Sequence, residues 1–209
     1  AMMRSLNWLI LLAFLFVITF RLWLRRLNLN HLAQHGHQVP RAFEGFVDQN
    51  LLSKTTDYTL ANSRIGLIES ILSDAVLLIF LFGGLLSWYD GWISTLTDSF
   101  IGHGVLFVLG LTIAQTVLDI PFSLYRTFVL EERFQFNTST PKIWFTDLVK
   151  SLFIGTALLA LVTTGALSLV QASPDFWWLW VWVFLALITL LLMYLSPVLI
   201  EPMFINFQP

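Results

Sequence analysis

The chain has 209 residues and a mean hydropathy of +0.78, with 57% apolar and only 11% charged side chains, less than half the charged share of soluble domains. This composition describes an integral membrane protein and excludes a soluble globular domain. A formal net charge of −2 with no basic tract argues against a nucleic-acid partner, and the absence of cysteine excludes disulfides and thiolate metal sites.

Crossing a hydrocarbon core takes roughly 20 helical residues, and five apolar runs are long enough, near 7–25, 66–88, 101–124, 147–171 and 176–197. The expectation is an all-α, polytopic membrane protein of about five transmembrane helices, forming one membrane domain over 1–209. Ala1, ahead of two methionines, reads as a cloning remnant. The first run is followed by Arg21, Arg25 and Arg26 and lacks a small-x-small cleavage pattern, so it reads as a span and not as a signal peptide.

A polar segment of about forty residues separates the first two spans, too long for a tight helical connection. Within it His31 and His35 stand four apart, the spacing by which a helix offers two imidazoles to zinc. A metalloprotease helix also needs Glu directly after the first His to act as general base. Leu32 occupies that position, and the histidines read as solvated. After Pro40, Phe43, Phe46, Val47 and Leu51 recur at helical spacing, which predicts an amphipathic helix along the inner surface.

Charges inside the spans carry more information. An acid at a helix centre costs about 2.5–3.5 kcal/mol on the insertion scale, so such groups face a partner or water. Glu69, Asp74, Asp119, Asp147 and Lys150 all fall toward one side of the spans, which a hollow open to the cytoplasm would accommodate. Asp119 lies two residues before Pro121, whose missing N–H predicts a kink, and Arg126 follows two turns along the same face as a candidate partner. His103, at the start of the third span, reads as interfacial.

The wet stretch YRTFVLEERFQFNTSTP (125–141) then mixes aromatics with charges. Tyr125, Phe128, Phe134 and Phe136 suit anchoring against a partner, with Glu131, Glu132 and Arg133 as rim charges. The alternative is an ordinary helix end turned by Asn137 or Thr138.

Loop charges set the orientation. With the first loop cytoplasmic, ten of the eleven basic residues fall inside and only Arg4 lies outside, as the positive-inside rule expects. The amino terminus is then outside and the carboxyl terminus cytoplasmic. Trp8, Trp88, Trp92, Trp177, Trp178, Trp180 and Trp182 form an outer aromatic belt.

Three stretches together, LDIPFSLYRTFVLEERFQFNTSTP (118–141), DLVKSLF (147–153) and SPVLIEPMFINFQP (196–209), resemble the amino-terminal membrane domain of the type I CAAX prenyl proteases. The match runs through Asp119, Pro121, Tyr125, Phe128, Glu131, Phe136, Asn137 and Thr140. KTTDYT (54–59) resembles the family's K-x-x-D-Y-T. Gln135 stands where the family has Gly, and Met203, Ile205 and Asn206 depart from its Leu-Phe-Asn-Lys run.

The resemblance implies the membrane half of a zinc metalloendopeptidase, a scaffold and substrate chamber that is not itself catalytic. Asp74, Asp119, Arg126, Glu131 and Glu132 are its chamber or interface candidates. No metal or cofactor is expected in this chain. Zinc is expected in the full-length enzyme, on an H-E-x-x-H helix beyond Pro209. The implied partners are the lipid bilayer, a carboxyl-terminal protease domain and a peptide or prenylated peptide substrate. A non-enzymatic membrane scaffold and a transporter-like protein are the alternatives. Loop style favours a bacterial inner membrane, with the endoplasmic reticulum as the alternative.

Overall fold

The structure, a computed structural model, describes residues 2–39 and 48–195, with side chains from residue 8 onward. The amphipathic helix expected after Pro40 and the terminal motif at 196–209 lie outside the described residues. Among the described residues six α-helices follow one another: α1 (Met2–His35), α2 (Gln49–Phe82), α3 (Leu85–Ser94), α4 (Phe100–Tyr125), α5 (Pro141–Ala172) and α6 (Trp177–Leu195). A π-helical stretch, Arg126–Glu131, continues α4, and no strand occurs among the described residues.

Among the described residues five segments are long and apolar enough to cross a membrane: Trp8–His35, Gln49–Phe82, Phe100–Glu131, Pro141–Ala172 and Trp177–Leu195. The chain is an integral membrane protein of the all-α class. α1 and α2 each have 34 residues. At 1.5 Å per residue each is about 51 Å long, beyond the roughly 30 Å of a hydrocarbon core. Both therefore project into the headgroup region and past it, and much of the polar segment between the first two spans is helix.

The punctuation is local. Thr140 caps α5, its Oγ1 accepting from the Ile143 amide at 3.3 Å, and Pro141 supplies the first helical residue. Gly84 opens α3 at φ 85°, a left-handed conformation that costs glycine little. Ser173 and Pro174 follow the end of α5, and the residue before a proline is biased away from the helix.

Outward-facing side chains are apolar. Phe16 is 70% exposed, and Phe153 and Met193 are each 75% exposed, while Ile93 and Leu130 are the buried apolar residues among those described. Apolar surface on this scale needs lipid to cover it. Several span hydroxyls bond back to their own helix, as in Thr112 to the Val108 carbonyl (2.9 Å) and Thr189 to the Leu185 carbonyl (2.7 Å), so these donors have an acceptor without water.

The chain divides into two compact units, one of residues 1–81 with 118–137 and the other of 82–117 with 138–209. α4 contributes to both.

Candidate functional site

Arginines on α1 hold the first unit together. α1 and α2 run antiparallel, pinned at successive levels. Near one end the buried Thr56 donates to the Gly36 carbonyl at 2.7 Å. Arg25 then spreads its guanidinium over two α2 carbonyls, Gly66 and Ser63, each at 2.9 Å. Deeper still, Arg21 pairs with Asp74. Arg21 and Arg25 are one turn apart, so both face α2. Gly66 leaves room for the guanidinium groups: a Cβ there would stand 2.6 Å from Arg25 Nη2 and 3.5 Å from Arg126 Nη2, so a side chain would make Arg25 shift.

Arg126 closes the unit from the other side. It binds the Glu69 carboxylate in a two-pronged arrangement, with Nη2 to Oε2 and Nη1 to Oε1 at 3.3 Å, and its Nε donates to Asn62 Oδ1 at 3.2 Å. Bidentate geometry is the strong form of such a pair. The pairing expected of Arg126 with Asp119 is thus replaced by Glu69, 57 residues away in sequence. α4 also continues through Pro121, and the departure from α geometry comes at Arg126–Glu131. The wider π turn there lies where the Arg126 guanidinium reaches α2, and such single-turn insertions recur at functional positions.

The two stretches that resemble one family meet in space. Tyr58 lies edge-on to Phe134 and Phe136, with centroids 5.6 and 5.2 Å apart, and Lys54 Nζ sits 4.7 Å from the Phe136 ring. Edge-to-face rings and a cation over a π face both attract through the ring quadrupole. From the same motif Asp57 pairs with His37 at 3.0 Å. Phe134 and Phe136 therefore place part of their surface inside the chain.

Gln135 makes the turn between those rings. Its φ is 57°, the only positive value among the described non-glycine residues. The Gln135 amide donates to the Glu132 carbonyl (3.0 Å) and the Phe136 amide to the Glu131 carbonyl (2.8 Å). This is the pair of bonds by which a left-handed residue closes a helix, a position usually given to glycine. Asn137 Nδ2 adds a bond to Glu132 Oε2 at 3.0 Å. Neither Asn137 nor Thr138 turns the chain; Gln135 does.

Asp119, Pro121 and Tyr125 lie in the last turns of α4, and Phe128 and Glu131 in the π stretch. Glu132 follows the π stretch, and Thr140 caps α5. Asp74 belongs to the α1–α2 seam. Sequence reasoning missed the partners: Glu69 for Arg126, Arg21 for Asp74, and Tyr58 for the two phenylalanines. The spacing of Arg21 and Arg25, together with the K-x-x-D-Y-T stretch, was the available signal.

The second unit has a polar corner of its own. His103 contacts Asp90 at 2.9 Å. The Tyr89 hydroxyl donates to the Phe107 carbonyl at 2.9 Å, and burial pushes the phenol above its ordinary 10.0. In the first unit His31 and His35 stack at 4.5 Å. Among the described residues no three His, Asp or Glu side chains converge as a metal site, so the donor set does not fit zinc, which commonly takes three or four protein ligands.

Fold and site together define a class: a five-span helical membrane domain, its first unit fastened by arginines and the turn after the π stretch braced by aromatic rings. The chain belongs to the CAAX prenyl protease N-terminal family, described by five membrane helices, whose sequence pattern matches residues 28–206. It is 31% identical over 201 residues to the probable CAAX prenyl protease 1 of Schizosaccharomyces pombe, covering 90% of this chain and 42% of that one. It is 30% identical to CAAX prenyl protease 1 of Saccharomyces cerevisiae, covering 82% and 40%. The crystal structure of Saccharomyces mikatae Ste24p superposes with a TM-score of 0.82 at 28% identity, over 94% of this chain and 47% of that one. The chain spans less than half the length of these relatives.

Proposed function

We propose that this chain serves as the membrane half of a CAAX prenyl protease-like zinc metalloendopeptidase, acting as scaffold and substrate chamber. The observation that carries the reading is the match over residues 28–206, supported by the meeting of its two motif stretches around Tyr58. On this reading the zinc and its ligands are contributed by a carboxyl-terminal protease domain, as the family resemblance implies. The charged rim at Glu131, Glu132 and Arg133 is offered to that domain. The substrate is a peptide or prenylated peptide.

The amino terminus is proposed to be outside and the carboxyl terminus cytoplasmic, on the ten-to-one distribution of basic residues. Single cysteines at Ser94 and Ser139 then label from opposite faces of sealed vesicles, and labelling from one face would sink the five-span orientation. Loop composition favours a bacterial inner membrane, while the eukaryotic origin of the matched relatives keeps the endoplasmic reticulum as the alternative.

The decisive experiment joins the chain to an H-E-x-x-H protease segment of a relative and measures cleavage of a prenylated peptide. Cleavage that is lost on chelation supports the reading. A folded, inserted fusion that cleaves nothing would overturn it. A transporter reading rests on intramembrane acids, but Glu69 and Asp74 are each paired with an arginine, which supports a structural role for them over an ion-carrying one.

A further inference from the structure

Between α1 and α2 lies a cavity of about 450 Å³, lined by ten residues that include Leu22, Arg25, Arg26, Arg64, Leu67 and Ile71. Its charge is one-sided. The nearby acids Asp74 and Glu69 are taken by Arg21 and Arg126. Arg25 gives its hydrogen bonds to two neutral carbonyls, so its charge has no carboxylate facing it. Among the described residues, Arg26 and Arg64 have no hydrogen-bond or ion-pair partner. Three guanidinium groups therefore share one opening.

Depth identifies what they face. Arg26 is 18 residues from Trp8 along α1, and Arg64 is 18 residues from Phe82 along α2. At 1.5 Å per residue both lie about 27 Å from the opposite end of the span, close to one hydrocarbon thickness. The arginines thus sit at the level of the headgroups. Leu22, Leu67 and Ile71 continue from them toward the membrane interior. The cavity has a cationic mouth at the interface and an apolar floor leading into the bilayer.

We infer that this cavity is a binding site for an anionic phospholipid, with its phosphate between Arg26 and Arg64 and one acyl chain along Leu22, Leu67 and Ile71. Guanidinium is the side chain best matched to phosphate, by its planar fork of donors. The volume falls in the range of small-ligand pockets, enough for a headgroup and the first methylenes of a chain. Basic pockets between membrane helices bind acidic headgroups for this reason. The site stands apart from the protease reading and requires only that the chain spans a membrane.

Native mass spectrometry of the purified chain in detergent, with added phosphatidylglycerol or phosphatidylcholine, tests it. The expected result is a retained phosphatidylglycerol adduct, much weaker phosphatidylcholine binding, and little competition from inorganic phosphate. Arg26→Gln with Arg64→Gln is expected to weaken phosphatidylglycerol binding about 25-fold, at about 5-fold per arginine. Arg26→Lys with Arg64→Lys, which keeps the charge, is expected to hold most of it. Equal binding of both lipids by the unaltered chain would overturn the inference, as would full displacement by inorganic phosphate. Undiminished phosphatidylglycerol binding in the glutamine variant would do the same. If that variant does not fold, the lipid comparison on the unaltered chain and the lysine variant still decide.

Discussion

Gln135 is the residue at which local geometry and residue type disagree. A left-handed position costs an L-residue roughly 1–2 kcal/mol, while glycine pays mainly in chain entropy. Gln135→Gly is therefore expected to stabilise the chain by about 0.5–1 kcal/mol, read as a rise of about 2 °C in detergent thermal melting. A fall in melting temperature would mean that the glutamine side chain contributes something the backbone does not show. Arg126 gives the opposite case. Arg126→Gln leaves the Glu69 carboxylate without its bidentate partner in a half-buried setting, at an expected cost of about 1–3 kcal/mol. Glu69→Gln in the same chain should recover part of that loss. Additive single and double effects would show that the pair is not coupled.

At the scale of elements, Thr140 and Pro141 start α5, and Thr140→Ala is expected to cost about 1 kcal/mol by freeing the Ile143 amide. Helix-end hydrogen exchange near Ile143 should rise with it; unchanged protection there would remove the cap from the account. The helices themselves were legible in the sequence, because runs of about twenty apolar residues have few alternatives in lipid. The Gly-to-Gln departure at 135 likewise marked the position where, alone among the described non-glycine residues, the chain takes a left-handed turn. What stayed hidden was which charges meet. The Asp119 and Arg126 spacing invited a pairing within one helix, whereas the guanidinium reaches across to α2. Periodicity reports the face of a helix, not the neighbour it faces. The length of α1 and α2 was hidden too, since polar turns beyond the membrane carry no hydropathy signal though they remain helical.

At the scale of the whole molecule, the first unit is assembled from residues far apart in the chain, 1–81 with 118–137, and that sets an order of events during synthesis. Arg21 precedes its partner Asp74 by 53 residues, and Glu69 precedes Arg126 by 57. At about 5–20 residues per second each first-made charge waits about 3–11 s for its counter-ion. α1 and α2 close their own seam as soon as α2 is complete, but Glu69 stays unmatched until α4 has been made. A nascent chain ending at Phe82 is therefore expected to insert more completely with Glu69→Gln than with Glu69, a difference that glycosylation mapping of α2 would reveal and that should vanish once the chain extends past Arg126. The ribosome thus hands the membrane a half-charged hairpin, and the insertion machinery must shelter one acid for several seconds until a later helix arrives to neutralise it.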